Sequence, residues 1–187
     1  PEGSRFLRIL DNHDVAMDCG SARHELAFSH AGVDAALLIN FTIDGVPFIY
    51  NGQEVADSAL HSIYSNRFYG KMCVDWSNAM TQVGKQRLDF IKTMIRIRRD
   101  NPALNSGSTR WLDSNQPETL AAFIREQGTQ KLLIAVHTSN TNLSASLRLE
   151  NAPAFPQTLL ERNSSFAVGE NQLTLNMLPY GFTIIKL

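Results

Sequence analysis

Two polar clusters, Asn12-His13-Asp14 and Asn51-Gly52-Gln53-Glu54, each follow a short apolar run. Neighbouring His and Asp side chains can hydrogen-bond adjacent hydroxyls of a sugar ring. A fixed carboxylate can also stabilise the positive charge of an oxocarbenium-like transition state. Taken singly, either cluster reads as a turn, because Asn and Asp bond their own backbone there. Taken together they are more informative, since their separation of about thirty residues is the length of one strand–helix–strand unit.

The elements between the clusters support that unit. Arg5 to Leu10 (RFLRIL) is a strand that halts at Asp11. Val33 to Ile43 is apolar nearly all round, as a helix packed on a sheet would be, and Asp44-Gly45 stops it. Val46 to Tyr50 (VPFIY) is a second buried strand. The order implies parallel strands with a right-handed crossover, and puts Gln53 and Glu54 on the same rim as Asp14. Residues 55–80 read as loop, with Tyr64, Phe68, Tyr69 and Trp76 as packing aromatics. Residues 81–99 form the clearest helix. Leu88, Ile91 and Ile95 make one stripe and Phe90, Met94 and Ile97 the next, while the basic residues from Lys85 to Arg99 form a solvated face. Arg96, Arg98 and Arg99 suit its C-terminal dipole, and Asn101-Pro102 ends it.

Beyond Asn105 short β-type runs alternate with turn signals: Thr119–Arg125, Lys131–Thr138, the alternation Leu143, Ala145, Leu147, Leu149, then Leu173, Leu175, Met177, and finally Phe182–Leu187. This spacing predicts an antiparallel β-sandwich. The expected division is 1–104 for an α/β part and 105–187 for the all-β part. A complete (β/α)8 barrel takes about 250 residues, so the two strands before residue 105 would be only the end of one.

The chain has 187 residues, 43% hydrophobic, with a net charge of -1. That is enough apolar material for a core, and it argues against nucleic-acid binding, which needs a basic face. No apolar run is long enough to span a membrane. The opening PEGSRFLRIL has neither an initiator Met nor a leader pattern, so the expectation is part of a longer product. Periplasmic, extracellular and cytoplasmic locations stay open. Cys19 and Cys73 read as two unpaired thiols. His24 and His30 lack partners at metal-ligand spacing, and His137 reads as a satisfied core histidine.

Jointly, LDNHD at Leu10–Asp14 and Gly45, Pro47, Gly52 and Glu54 of a G-x-P-x-x-x-x-G-x-E pattern resemble the seventh and eighth barrel strands of the α-amylase family of glycoside hydrolases. Asp75-Trp76 and IRIRRDNPALNSG (Ile95–Gly107) continue the resemblance over nearly the whole chain. It implies strands seven and eight of a (β/α)8 barrel followed by a C-terminal β-sandwich. It implies a retaining enzyme on starch-like glucans or maltooligosaccharides, whether hydrolase, transglycosylase or isomerase. Asp14 matches the family's third carboxylate, the transition-state stabiliser, and His13 and Asn12 would bind the same sugar. The family's nucleophile and acid/base have no counterpart in the chain, which alone should be inactive. No cofactor is implied, and the family's calcium site would lie outside the chain. Val15-Ala16-Met17-Asp18 departs from the family's usual Thr and basic residue. The alternative is a non-catalytic sugar-binding or barrel-capping sandwich, in which Trp111 is the one tryptophan. Open barrel edges would favour self-association.

Overall fold

A computed structural model describes residues 5–12, 23–59, 74–150, 153 and 155–187 of the chain. Its first part is organised by two short parallel strands, β1 (Leu7–Ile9) and β2 (Val46–Phe48), in the register Leu7↔Val46, Arg8↔Pro47, Ile9↔Phe48. Parallel neighbours cannot be joined by a tight turn, so the chain has to travel back before the second strand starts. Helices α1 (His24–Ala27) and α2 (Ser29–Thr42) lie on that return. Gly45 closes it at φ +109, where an added Cβ would stand 2.7 Å from the Phe6 carbonyl oxygen. That oxygen accepts from the Val46 amide at 2.8 Å. Only glycine reaches this backbone region without strain.

Helix α3 (Gln82–Asp100) starts at Thr81, whose hydroxyl accepts from the Gly84 amide at 3.0 Å. Its buried stripe is Phe90, Ile91, Met94 and Ile97. The expected placement of Ile95 on the core stripe is corrected: it is 52% exposed, in an open groove beside Pro47 and Ile49. A solvated basic face is corrected too, because Arg87 and Arg98 are buried. Arg98 donates to the carbonyls of Phe41 (2.6 Å) and Gly45 (2.5 Å), satisfying the end of α2 and the return into β2. Burial, and then the charges of Arg125 and Arg5, push its pKa down to about 10.

A short helix α4 (Pro102–Ser106) leads into the antiparallel sheet of β3 (Ser108–Trp111), β4 (Leu120–Gln127), β5 (Gln130–His137), β6 (Leu143–Arg148), β7 (Gln157–Val168) and β8 (Gln172–Lys186). The strand order is β3-β4-β5-β8-β6, with β7 running along β8. The C-terminal half of β8 pairs with β5 and its N-terminal half with β6, while β7 follows both halves. Between the halves lies Leu178-Pro179-Tyr180-Gly181, with Tyr180 at φ +56. The bent β7–β8 hairpin thus belongs to two layers. The sheet curls on itself. Ala122, Ile124, Leu133 and Ala135 of β4 and β5 meet Ala145 and Leu147 of β6 and Leu173, Leu175 and Met177 of β8 in one closed core.

The opposite face of β4, β5 and β8 presents Phe123, Leu132, Ile134, Val136, Phe182 and Ile184 to Leu37, Leu38 and Phe41 of α2 and to Phe90 and Met94 of α3. Alternation along these central strands therefore buries both faces, each fully buried Leu, Ile or Phe contributing about 1.5–3 kcal/mol.

Candidate active-site rim

Because Ile9 is the register partner of Phe48, the two strands end level. Leu10-Asp11-Asn12 and Ile49-Tyr50-Asn51 therefore leave the parallel pair side by side, which brings Asn12 and Asn51, the first residues of the two sequence clusters, to one edge. Asn12 is half-buried there. His13 and Asp14 lie outside the described residues.

Arg23 ties this edge together from below. Fully buried, it donates to Asp11 Oδ2 from Nε (3.1 Å) and Nη2 (2.8 Å), and from Nη1 to the Ala59 carbonyl at 2.8 Å. Asp57 Oδ2 stands 3.9 Å from Nη1, and the guanidinium carbon lies 5.9 Å from the Tyr50 ring centroid. One cation thus joins the end of β1, the end of β2 and the loop after it. The second oxygen of Asp11, itself 2% exposed, has no partner among the described residues.

The loop after β2 is held by its own backbone. Gly52, at φ +93, has no room for a side chain beside Asp57, whose Cβ lies 3.1 Å from where an added Cβ would stand. The Gly52 amide donates to Glu54 Oε2 at 2.8 Å, and the Asp57 amide donates to the Gly52 carbonyl at 3.0 Å. Asp57 Oδ1 accepts from the Ala59 amide and from Asn78, both at 3.2 Å. Gln53 and Glu54, expected on one rim with Asp14, follow β2 at this edge but turn inward. Gln53 is 2% exposed, and Glu54 is turned back onto its own loop.

A second buried ion network lies behind the rim. Arg87 of α3 pairs with Glu25 of α1, from Nη1 to Oε1 at 2.5 Å and from Nη2 to Oε2 at 3.2 Å, and through Nε with Asp34 of α2. It also donates to the carbonyls of Gln53 (3.3 Å) and His30 (3.1 Å). Arg162 of β7 reaches the other Asp34 oxygen, with its guanidinium carbon 4.9 Å from the Phe90 ring and 5.0 Å from the Phe182 ring. Burial pulls the Arg87 pKa down, but Glu25 and Asp34 outweigh it and hold it above the ordinary arginine value. The network joins the helices to the antiparallel sheet.

These charged residues were not among the candidates read from the sequence. Two signals pointed to them. Asp34 interrupts an otherwise apolar helix, and Arg87 occupies the α3 stripe, three and four residues before Phe90 and Ile91. The histidines are engaged differently. His24 Nε2 bonds the Leu10 carbonyl at 2.8 Å, and His30 Nδ1 bonds Glu25 Oε2 at 2.6 Å. His137, expected to be satisfied, is only half so: Nδ1 bonds the Leu178 carbonyl at 3.3 Å, and Nε2 has no partner among the described residues. Tyr64, Phe68, Tyr69, Cys19 and Cys73 lie outside the described residues, and Trp76 is exposed. Among the described residues no three His, Cys, Asp or Glu side chains group as metal ligands, and no helix is long and apolar enough to cross a membrane.

No family model matches the chain. It is 28% identical over 141 residues to alpha-amylase 2 of Dictyoglomus thermophilum, covering 72% of this chain and 23% of that protein. It is 27% identical over 132 residues to a cyclomaltodextrinase of a Bacillus species, covering 71% and 22%. Among solved structures, a cyclomaltodextrinase superposes with a TM-score of 0.72 at 23% identity, covering 95% of this chain and 28% of that one. The debranching enzyme of Nostoc punctiforme gives 0.70 at 23% identity, covering 97% and 35%. The chain spans less than a quarter of the length of those two curated relatives. The likeness in structure shows the fold: a parallel strand–helix–strand end of a (β/α)8 barrel with an antiparallel β-sandwich behind it. The homologues of this chain are members of the α-amylase family, matched over a C-terminal portion of that family's architecture.

Proposed function

We propose that the chain is the C-terminal part of a retaining enzyme that acts on α-glucosidic bonds in starch-like glucans or maltooligosaccharides. The observation that supports this reading is the level ending of β1 and β2, from which Leu10–Asn12 and Ile49–Asn51 leave side by side, each within its motif. In the (β/α)8 architecture the catalytic groups stand at the carboxyl ends of the strands. Asp14 then stabilises the developing oxocarbenium charge, and His13 and Asn12 bond the hydroxyls of the same sugar. Retaining chemistry also needs a nucleophile and an acid/base about 5–5.5 Å apart. Neither is matched by a motif of this chain, so in this reading the chain alone is inactive. The buried Arg23–Asp11 pair supports the role of the rim by fixing the backbone immediately before Asn12.

Residues 1–104 form the barrel part and 105–187 the sandwich in this reading. The sandwich acts first as a cap, supported by the packing of Phe123, Val136 and Phe182 against the helices. The uncovered face of β1 and β2 gives the isolated chain its tendency to self-associate.

The test is Asp14→Asn in a form of the protein that cleaves maltoheptaose. The expected result is a loss of about a hundredfold to a thousandfold in kcat with little change in KM. An unchanged kcat would overturn the role given to Asp14.

A further inference from the structure

The more exposed tryptophan, Trp111, stands beside a depression of about 450 Å³ on the antiparallel sheet, lined by residues of β3, β4 and the loops next to them. The indole is 57% exposed, yet its position is fixed from behind: it packs at 58° on the buried Phe123 ring, centroids 4.9 Å apart. Asp113, Ser114, Glu118 and Thr138 line the depression over the buried Leu120. Asp113 and Glu118 are exposed and have no hydrogen-bond or ion-pair partner among the described residues. The surrounding loop is tied down. The Leu112 amide donates to the Ala122 carbonyl at 2.9 Å, the Ser146 amide to Asn115 Oδ1 at 2.8 Å, and the Thr138 amide to the Thr119 carbonyl at 2.9 Å.

We infer that this depression is a glucan-holding subsite separate from the rim. A pyranose ring has an apolar C–H face and an equatorial belt of hydroxyl donors. The depression offers an aromatic face for the first, and carboxylate and hydroxyl acceptors for the second. None of the described residues that line it is basic, which disfavours phosphate or other anionic ligands. Because the Trp111 ring and the loop are already held, little ordering cost falls on binding. The choice of an α-glucan as the occupant rests on the function proposed above; the site itself does not.

Nitrogen-15 NMR of the full chain separates these parts. The probes are maltoheptaose, cellohexaose and tetramethylammonium chloride, each titrated alone, and Trp76 is the internal control. Maltoheptaose should shift the Trp111 indole N–H and the amides of residues 112–120 and leave the Trp76 indole in place. W111A and D113N should weaken that response about tenfold, and W111Y, which keeps a ring against Phe123, should retain part of it. If cellohexaose moves the Trp111 group and maltoheptaose does not, the subsite stands and the α-glucan reading falls. If maltoheptaose moves residues only around Asn12, the α-glucan reading stands and the subsite is overturned. A response at Trp111 to tetramethylammonium alone, or to none of the three probes, also overturns it.

Discussion

The parallel pair and the antiparallel sheet are built from similar apolar residues but bury them in opposite ways. In the sheet, alternating side chains of β4, β5 and β8 are enclosed on both faces. In the parallel pair, Leu7, Ile9, Val46 and Phe48 share one face by register and are 60%, 48%, 44% and 38% exposed. The charges run the other way: Asp11, Arg23, Glu25, Asp34, Asp57 and Arg87 are all buried around the helices and the strand ends. A region that exposes apolar side chains and encloses six acidic and basic ones is not organised by its own hydrophobic core. It is organised around the strand ends, with ion pairs fixing backbone positions and one strand face left exposed. The sheet supplies the stability, and the parallel pair supplies the placement.

The comparison breaks most readily at Arg87. Arg87→Ala leaves Glu25 with only His30 and Asp34 with only Arg162 in the interior, and urea unfolding should report a loss of about 3 kcal/mol. A loss below about 1 kcal/mol would mean that those charges are hydrated and that the helices are held otherwise. Next is Leu175→Ala in the closed core, expected to cost about 2–5 kcal/mol in the same assay. Its counterpart on the parallel pair, Ile9→Thr, should change stability by about 0.5 kcal/mol or less, as an exposed position does. A cost above about 2 kcal/mol for Ile9→Thr would show this face covered in solution. Sedimentation of the chain at rising concentration checks that directly, and Ile9→Lys should abolish any association. An effect between those of Leu175→Ala and Ile9→Thr is expected from Arg162→Met, which cuts the sheet's link to Asp34 at a partly exposed side chain, at about 1 kcal/mol.

Where local pattern decides the structure, the sequence was readable. The helix expected over 81–99 is Gln82–Asp100, and the strand expected over 131–138 is Gln130–His137. The helix expected from Val33 starts at Ser29, because the polar Ser-His-Ala-Gly turn that opens it carries no apolar signal. The two strands read at Leu173–Met177 and Phe182–Leu187 are one bent strand. Pro179 and Gly181 look like a terminator but sit at a corner that β7 spans, pairing with β8 on either side of it. β7 itself was missed, since its exposed and half-exposed side chains carry no apolar alternation in the sequence QTLLERNSSFAV. The ion networks were not legible because their partners are 12, 53 and 62 residues apart in sequence. Spacing reveals a pair on one helix; only the packing of α1, α2 and α3 brings Glu25, Asp34 and Arg87 together. The motifs were legible as types and spacing, and the register of two three-residue strands explains why Asn12 and Asn51, where they begin, share an edge.

The most direct measurement is the release of reducing ends from maltoheptaose by the purified 187-residue chain, run beside Asp14→Asn. The account predicts no release above the Asp14→Asn control, because the chain carries the stabilising carboxylate without the nucleophile and the acid/base. Release that disappears in Asp14→Asn would contradict it, since the chain would then assemble a working site from its own residues.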